Sequence, residues 1–282
     1  MKIKHLIKYP FSILKKLFNF LKIEFYEYKN PTNKRYESLL KTYKLCDLNK
    51  DRDYYIGILD KTLKELGYPI YNESQGMYSE HLIIFAAISE TNLKIKNILE
   101  IGTFDGKTAT ILAKLFPNSD IKTIDLSDND PVFINTYARK KNAKEFIKKR
   151  NTLLSRFKRI NFLQINSLEL SLKNKLPKQD LIWVDGAHGY PIVVSDITNA
   201  IGLMHQESIL MCDDIFKRTT KYDSLYVSTA GFETLSAFRD SNILETHYFS
   251  KRIGRKFNSK YKYVSFSRLS RNKKINFFKT SS

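Results

Sequence analysis

Asn97-Ile98-Leu99-Glu100-Ile101-Gly102-Thr103-Phe104-Asp105-Gly106-Lys107-Thr108-Ala109-Thr110 is the stretch that decides the fold. Ile98, Leu99 and Ile101 suit a buried parallel strand, and Glu100 interrupts them near its end. Gly102 and Gly106 admit backbone conformations and a close approach that side chains block. From Lys107 the apolar residues recur at helical spacing, with Ile111, Leu112 and Leu115 on one face, and Pro117-Asn118 closes that helix. A strand, a glycine turn and a helix N-terminus together make a site for an anionic or polar ligand.

Three ligand classes use such a turn. The dinucleotide fingerprint Gly-x-Gly-x-x-Gly lacks its second glycine here. A phosphate loop needs four residues between its first glycine and Gly-Lys-Thr, and this turn has three, Thr103, Phe104 and Asp105. Asp105 also puts a carboxylate where a phosphate would sit. What remains is acidic-x-Gly-x-x-x-Gly at a strand end. That pattern resembles the first motif of the class I S-adenosylmethionine-dependent methyltransferases. The resemblance implies that Glu100, Gly102, Thr103 and Gly106 bind the cofactor, whose cationic, amino-bearing part explains a carboxylate at Glu100.

The strands that follow extend the pattern. Ile121 to Asp125 reads as a second strand, and Asp125 stands 25 residues after Glu100, where a carboxylate suits the ribose hydroxyls. Residues 132–158 read as helical. Asn161 to Asn166 makes a third strand, and Asn166-Ser167 occupy the place where the family carries an acid beside the adenine. Asp180 to Asp185 is an almost wholly apolar fourth strand, followed by a helix from Pro191 to Leu203. Ser208 to Asp214 is the fifth, and a helix around Glu233 to Arg239 follows. Glu245 to Lys251 and Lys260 to Ser267 alternate as strands across a basic turn at Gly254-Arg255-Lys256. The expected fold is α/β: a Rossmann-like, doubly wound, seven-stranded sheet, mostly parallel with an antiparallel terminal strand, and helices on both faces.

Four strands end in acids: Glu100, Asp125, Asp185 and the pair Asp213-Asp214. Clustered carboxylates repel unless a cation joins them. Asp185-Gly186-Ala187-His188-Gly189-Tyr190 resembles the Asp-Gly-x-His-x-Tyr motif of small-molecule and sugar O-methyltransferases, the methyltransferase family 24 type. That group is similar to the metal-dependent catechol-type O-methyltransferases. The resemblance implies that Asp185, Asp213 and Asp214 hold Mg²⁺ or another divalent cation, and that Asp185 also meets the cofactor. His188, three residues after Asp185, takes the place of the general base. The implied activity is methyl transfer from S-adenosylmethionine to a hydroxyl of a small molecule or sugar.

The formal charge of the 282-residue chain is +19, and it sits at the ends. Residues 1–30 carry +5 and residues 251–282 carry +11, leaving +3 for residues 31–250. The central part is too nearly balanced to suggest nucleic acid as the substrate, and the signatures of base methylation are absent. Residues 11–28 read as an amphipathic helix, with Ile13, Leu14, Leu17, Phe18 and Leu21 opposite Lys15, Lys16 and Lys22. It suits an anionic membrane surface or a protein partner. Two cysteines and the absence of a signal peptide or spanning segment suggest a reducing, cytoplasmic setting, with peripheral contact at the inner membrane surface.

The expected organisation is a basic helix over 1–30 and a helical extension over 31–74, then a methyltransferase domain over 75–270 and a basic tail over 271–282. Met77 and Tyr78 are expected to cover the cofactor. His5, His81, His205 and His247 read as surface or packing residues. Two other readings stay open. One is a nucleoside-triphosphate hydrolase, whose motifs Gly106-Lys107-Thr108 and Asp213-Asp214 imitate. The other is a non-catalytic membrane-surface protein that keeps the fold.

Overall fold

The computed structural model describes Phe18, Leu21 and residues 32–74, 78–136, 142–173, 176–219, 223, 225–254 and 262–271. Most of the expected N-terminal helix, Met77, most of the basic turn and the tail lie outside these residues.

Helices α1 (Thr32–Leu45), α2 (Arg52–Glu65) and α3 (Glu80–Ser89) precede the sheet. The sequence predicts a helical extension over 31–74, without dividing it. It is two helices, because Asp47 takes a left-handed φ of 61° and turns the chain between them. β1 (Asn97–Ile101), α4 (Lys107–Leu115), β2 (Asp120–Asp125), α5 (Pro131–Asn135), α6 (Ala143–Leu154) and β3 (Ile160–Gln164) follow. Then come α7 (Leu170–Lys173), β4 (Gln179–Val184), α8 (Ile192–Gly202), β5 (Met204–Phe216), α9 (Ala230–Asp240), β6 (Leu244–Ser250) and β7 (Lys262–Leu269). The expected helix over 132–158 is thus divided into α5 and α6.

The seven strands lie in the order β3-β2-β1-β4-β5-β7-β6. The first five are parallel, and β7 runs antiparallel between β5 and β6. This is the sheet expected from the sequence, seven strands and mostly parallel, with the last described strand antiparallel.

Two cores sandwich it. On one face, Ile98, Ile121, Leu181 and Trp183 of the strands meet α1 to α4. α3 is apolar almost all round because it is enclosed on every side. On the other face, Leu99, Ile101, Ile182 and Val184 meet Val193, Ile197 and Ile201 of α8 and Leu235 of α9. Strand alternation assigns the faces. Glu100 therefore falls on the α1–α4 side, between Thr123 of β2 and Trp183 of β4.

Candidate active site

Above the carboxyl ends of β1, β2, β4 and β5 opens a cavity of about 600 Å³. In an open parallel sheet this is where ligands bind. Gly102, Thr103, Asp125, Asn166, Ser167, Asp185, His188, Asp213 and Asp214 all line it, so nine of the eleven residues selected from sequence meet in one place.

Glu100 and Gly106 do not line the cavity. Glu100 is buried behind its wall, accepts a hydrogen bond from Thr123 Oγ1 at 2.5 Å, and reaches the cavity only through the Thr123–Thr103 hydroxyl pair. Burial pushes its carboxyl up to about 8. Glu100 stands one residue inside the end of β1, whereas Asp125 closes β2 and Asp185 follows β4. Gly106, with φ 80°, opens α4, and a Cβ there would stand 2.9 Å from Leu154 Cδ2 of α6. Its reason is helix packing. Gly102, with φ 102°, lies against the backbone of Asp185 and Gly186. It lets the turns after β1 and β4 close on each other.

The turn after β1 spends its amides on carboxylates. Phe104 N donates to Asp125 Oδ2 at 2.9 Å, and Lys107 N donates to Asp105 Oδ1 at 3.1 Å, while Lys107 Nζ pairs with Asp105. A phosphate would find these positions already anionic, which counts against the nucleoside-triphosphate reading. Asp125 also accepts from Leu126 N at 2.8 Å. A carboxylate has further lone-pair directions for a ligand diol. Beside it, Leu126, Val132, Phe133 and Ile165 give apolar walls, and Asn166 Oδ1 caps the short turn that follows by accepting Leu168 N. The donor set, a carboxylate for a diol next to an apolar slot with an amide and a hydroxyl, fits a nucleoside.

After β4 His188 is buried, with Nε2 at 3.6 Å from Asp185 Oδ1. Its backbone is tied down through Leu225 O and Ser228 Oγ. Burial holds the imidazole below its ordinary range, so it is neutral at neutral pH. Burial and the neighbouring Asp213 carboxylate push the Asp185 carboxyl upward.

Asp185, Asp213 and Asp214, the carboxylates expected to hold a cation, all line the cavity, and lysines engage two of them. Lys251, the residue after β6, bonds both carboxylates, and Lys262 of β7 bonds Asp214 as well. Among the described residues no three histidine, cysteine or carboxylate side chains converge as metal ligands.

Sequence reasoning missed several wall residues. Lys251 gave no motif signal, and only its position at a strand end hinted at the cavity. His81 is indeed a packing residue, stacked on Trp183 with ring centroids 5.0 Å apart and bonded through Nδ1 to Ser79 Oγ at 2.6 Å. It also lines the cavity, and burial lowers it to about 4. Tyr78 lines the cavity with Tyr68 and Pro69 of the N-terminal extension. Glu73 pins that segment by accepting the amides of Ile253 and Gly254.

Residues 99–215 match a family model described as a methyltransferase domain, Methyltransf_24. No curated protein sequence matches the chain. Among solved structures, the chain is similar to the O-methyltransferase TomG from Streptomyces achromogenes, in complex with SAM. Identity is 15%, the match covers 83% of this chain and 98% of that one, and the TM-score is 0.44. It is also similar to the SAH-bound methyltransferase PaMTH1 from Podospora anserina, at 16% identity, 83% and 95% coverage and a TM-score of 0.47.

Proposed function

We propose that this chain, which carries a class I methyltransferase domain over residues 99–215, transfers a methyl group from S-adenosylmethionine to a hydroxyl of a small molecule or sugar. One observation carries the reading: Asp125 at the end of β2 and His188 after β4, strands on either side of β1, line the same cavity. The first suits a ribose diol and the second a hydroxyl proton.

When bound, S-adenosylmethionine supplies an electrophilic methyl group on a sulfonium. The residues of this chain do the rest. Asp125 orients the nucleoside through its diol, and the apolar wall around Phe133 takes the base. His188, neutral and fixed at its backbone, accepts the proton of the acceptor hydroxyl as the oxygen attacks. Tyr68, Pro69 and Tyr78 wall the cavity, excluding water and holding the two reactants in line.

Calorimetric titration of the purified chain with S-adenosylhomocysteine tests this, with ATP as control. Binding is expected, and Asp125→Ala should weaken it at least about tenfold, or ~1.4 kcal/mol. Binding of ATP without the homocysteine nucleoside would overturn the reading.

The basic N-terminal segment supports a second, smaller reading. Phe18 and Leu21 are 66% and 56% exposed, beside a local excess of lysine. We infer a peripheral contact with anionic lipid. Sedimentation with phosphatidylglycerol vesicles should carry the full chain down and leave a chain lacking residues 1–30 in solution. Equal sedimentation of both would remove this reading. Among the described residues no helix is long and apolar enough to cross a membrane.

A further inference from the structure

Consecutive residues of a strand point to opposite faces, so neighbouring carboxylates normally part. β5 breaks this rule at its carboxyl end. Its register against β7 shifts between Cys212 and Ile215, and Asp214 takes a φ of 46°. This bulge turns Asp213 and Asp214 toward one cation.

That cation is Lys251. Its Nζ lies 2.5 Å from Asp213 Oδ2 and bonds Asp214 Oδ1. Lys262 Nζ lies 2.7 Å from Asp214 Oδ2. The Lys251 side chain is only 7% exposed, yet the residue forms part of the cavity wall beside His188 and Asp185. Two ammonium groups thus bring the double positive charge that a divalent ion would bring. A metal entering here would have to displace a buried ammonium and leave it without its carboxylates, which is costly. The backbone holds Lys251 as well. Its carbonyl accepts Glu80 N at 3.0 Å, and its amide donates to Lys262 O at 3.1 Å.

We propose that Lys251 is the built-in cation of this site, standing where a divalent metal would otherwise join Asp213 and Asp214, and that its remaining N–H faces the acceptor oxygen. An ammonium has three donors, and two are used on the carboxylates. The third is a charged donor on the cavity side, able to orient a hydroxyl and stabilise negative charge growing on its oxygen while His188 takes the proton. This catalytic consequence rests on the methyl-transfer reading. The exclusion of metal from the carboxylates does not.

The test is Mn²⁺ binding to the full chain after treatment with chelator, read by the loss of the free-ion paramagnetic resonance signal. Wild type should bind no stoichiometric Mn²⁺. Lys251→Ala should uncover the carboxylates and gain Mn²⁺ affinity at least tenfold over wild type, whereas Lys251→Arg, which keeps the charge, should not. One tightly bound Mn²⁺ per wild-type chain, lost in Asp214→Asn, would overturn the proposal, and this arm decides the matter even where Lys251→Ala fails to fold. S-adenosylhomocysteine titrated into the same samples keeps the two readings apart. Its failure to bind wild type would remove methyl transfer and leave the metal result standing.

Discussion

A Cβ added to Gly102 would stand 2.3 Å from the carbonyl oxygen of Asp185. The two turns that frame the cavity are therefore in backbone contact, and no rotamer change relieves the clash. Gly102→Ala adds left-handed strain at φ 102° to this overlap. It should destabilise the chain by about 3 kcal/mol or more in urea unfolding, and abolish nucleoside binding. Gly57 in α2 is the control, with nothing within 4 Å of its Cβ position. Gly57→Ala should stabilise by about 0.5–1 kcal/mol.

Burial raises the carboxyls of Glu100 to about 8 and Asp196 to about 7. Both are protonated in the folded chain where the unfolded chain has already lost the proton. The unfolded state then binds fewer protons, so stability falls as pH rises. Buried histidines act oppositely, but only below their ordinary pKa of ~6.5. Unfolding free energy should therefore decline between pH 6.5 and 8, by up to about 1.4 kcal/mol per pH unit for each proton. Glu100→Gln should flatten the decline. A variant with the wild-type slope would assign the effect to other groups.

Helices α1, α2 and α3 are tied together by a buried ion pair. Arg52 Nη2 lies 2.7 Å from Glu80 Oε2, and Tyr43 OH donates to Glu80 Oε1 at 2.7 Å. Arg52→Leu leaves the Glu80 charge buried and should cost about 3–5 kcal/mol. Adding Glu80→Leu should recover part of that. A single-variant loss below ~1 kcal/mol would place the pair with exposed bridges.

His188→Gln keeps the side chain's size and removes its basicity. With an acceptor hydroxyl in hand, initial rates should fall roughly 10²- to 10⁴-fold while S-adenosylhomocysteine binds as before. An unchanged rate would move the base elsewhere.

The sheet was legible because its strands are short apolar runs ending in glycine or acid, a signal carried by neighbouring residues. Asp125 and His188 were legible for the same reason: each stands at a fixed offset from a strand. Glu100 was read as facing the ligand because a motif records position and not direction. It stands one residue inside the end of β1, and its side chain is buried against Thr123 instead. The ammonium between Asp213 and Asp214 left no local trace. Lys251 lies 37 residues after Asp214 and is chosen by how β6 and β7 pack, and one lysine among many in a basic chain has no signature of its own. The break of the helical extension at Asp47 depends on one left-handed residue, which helical periodicity does not register.

Strand β7 is the last strand among the described residues, yet it lies inside the sheet between β5 and β6. During synthesis β5 therefore emerges with one edge open, and it stays open until residues 262–269 have left the ribosome. An unpaired strand edge is a template for association with other chains. The same late strand delivers Lys262 to Asp214 and bonds the backbone of Lys251. A translation product halted before Lys262 would thus lack both the inner strand and the second of the two ammonium groups at its acidic pair. The order of synthesis joins the closure of β5's edge and the arrival of Lys262 at Asp214 in one event.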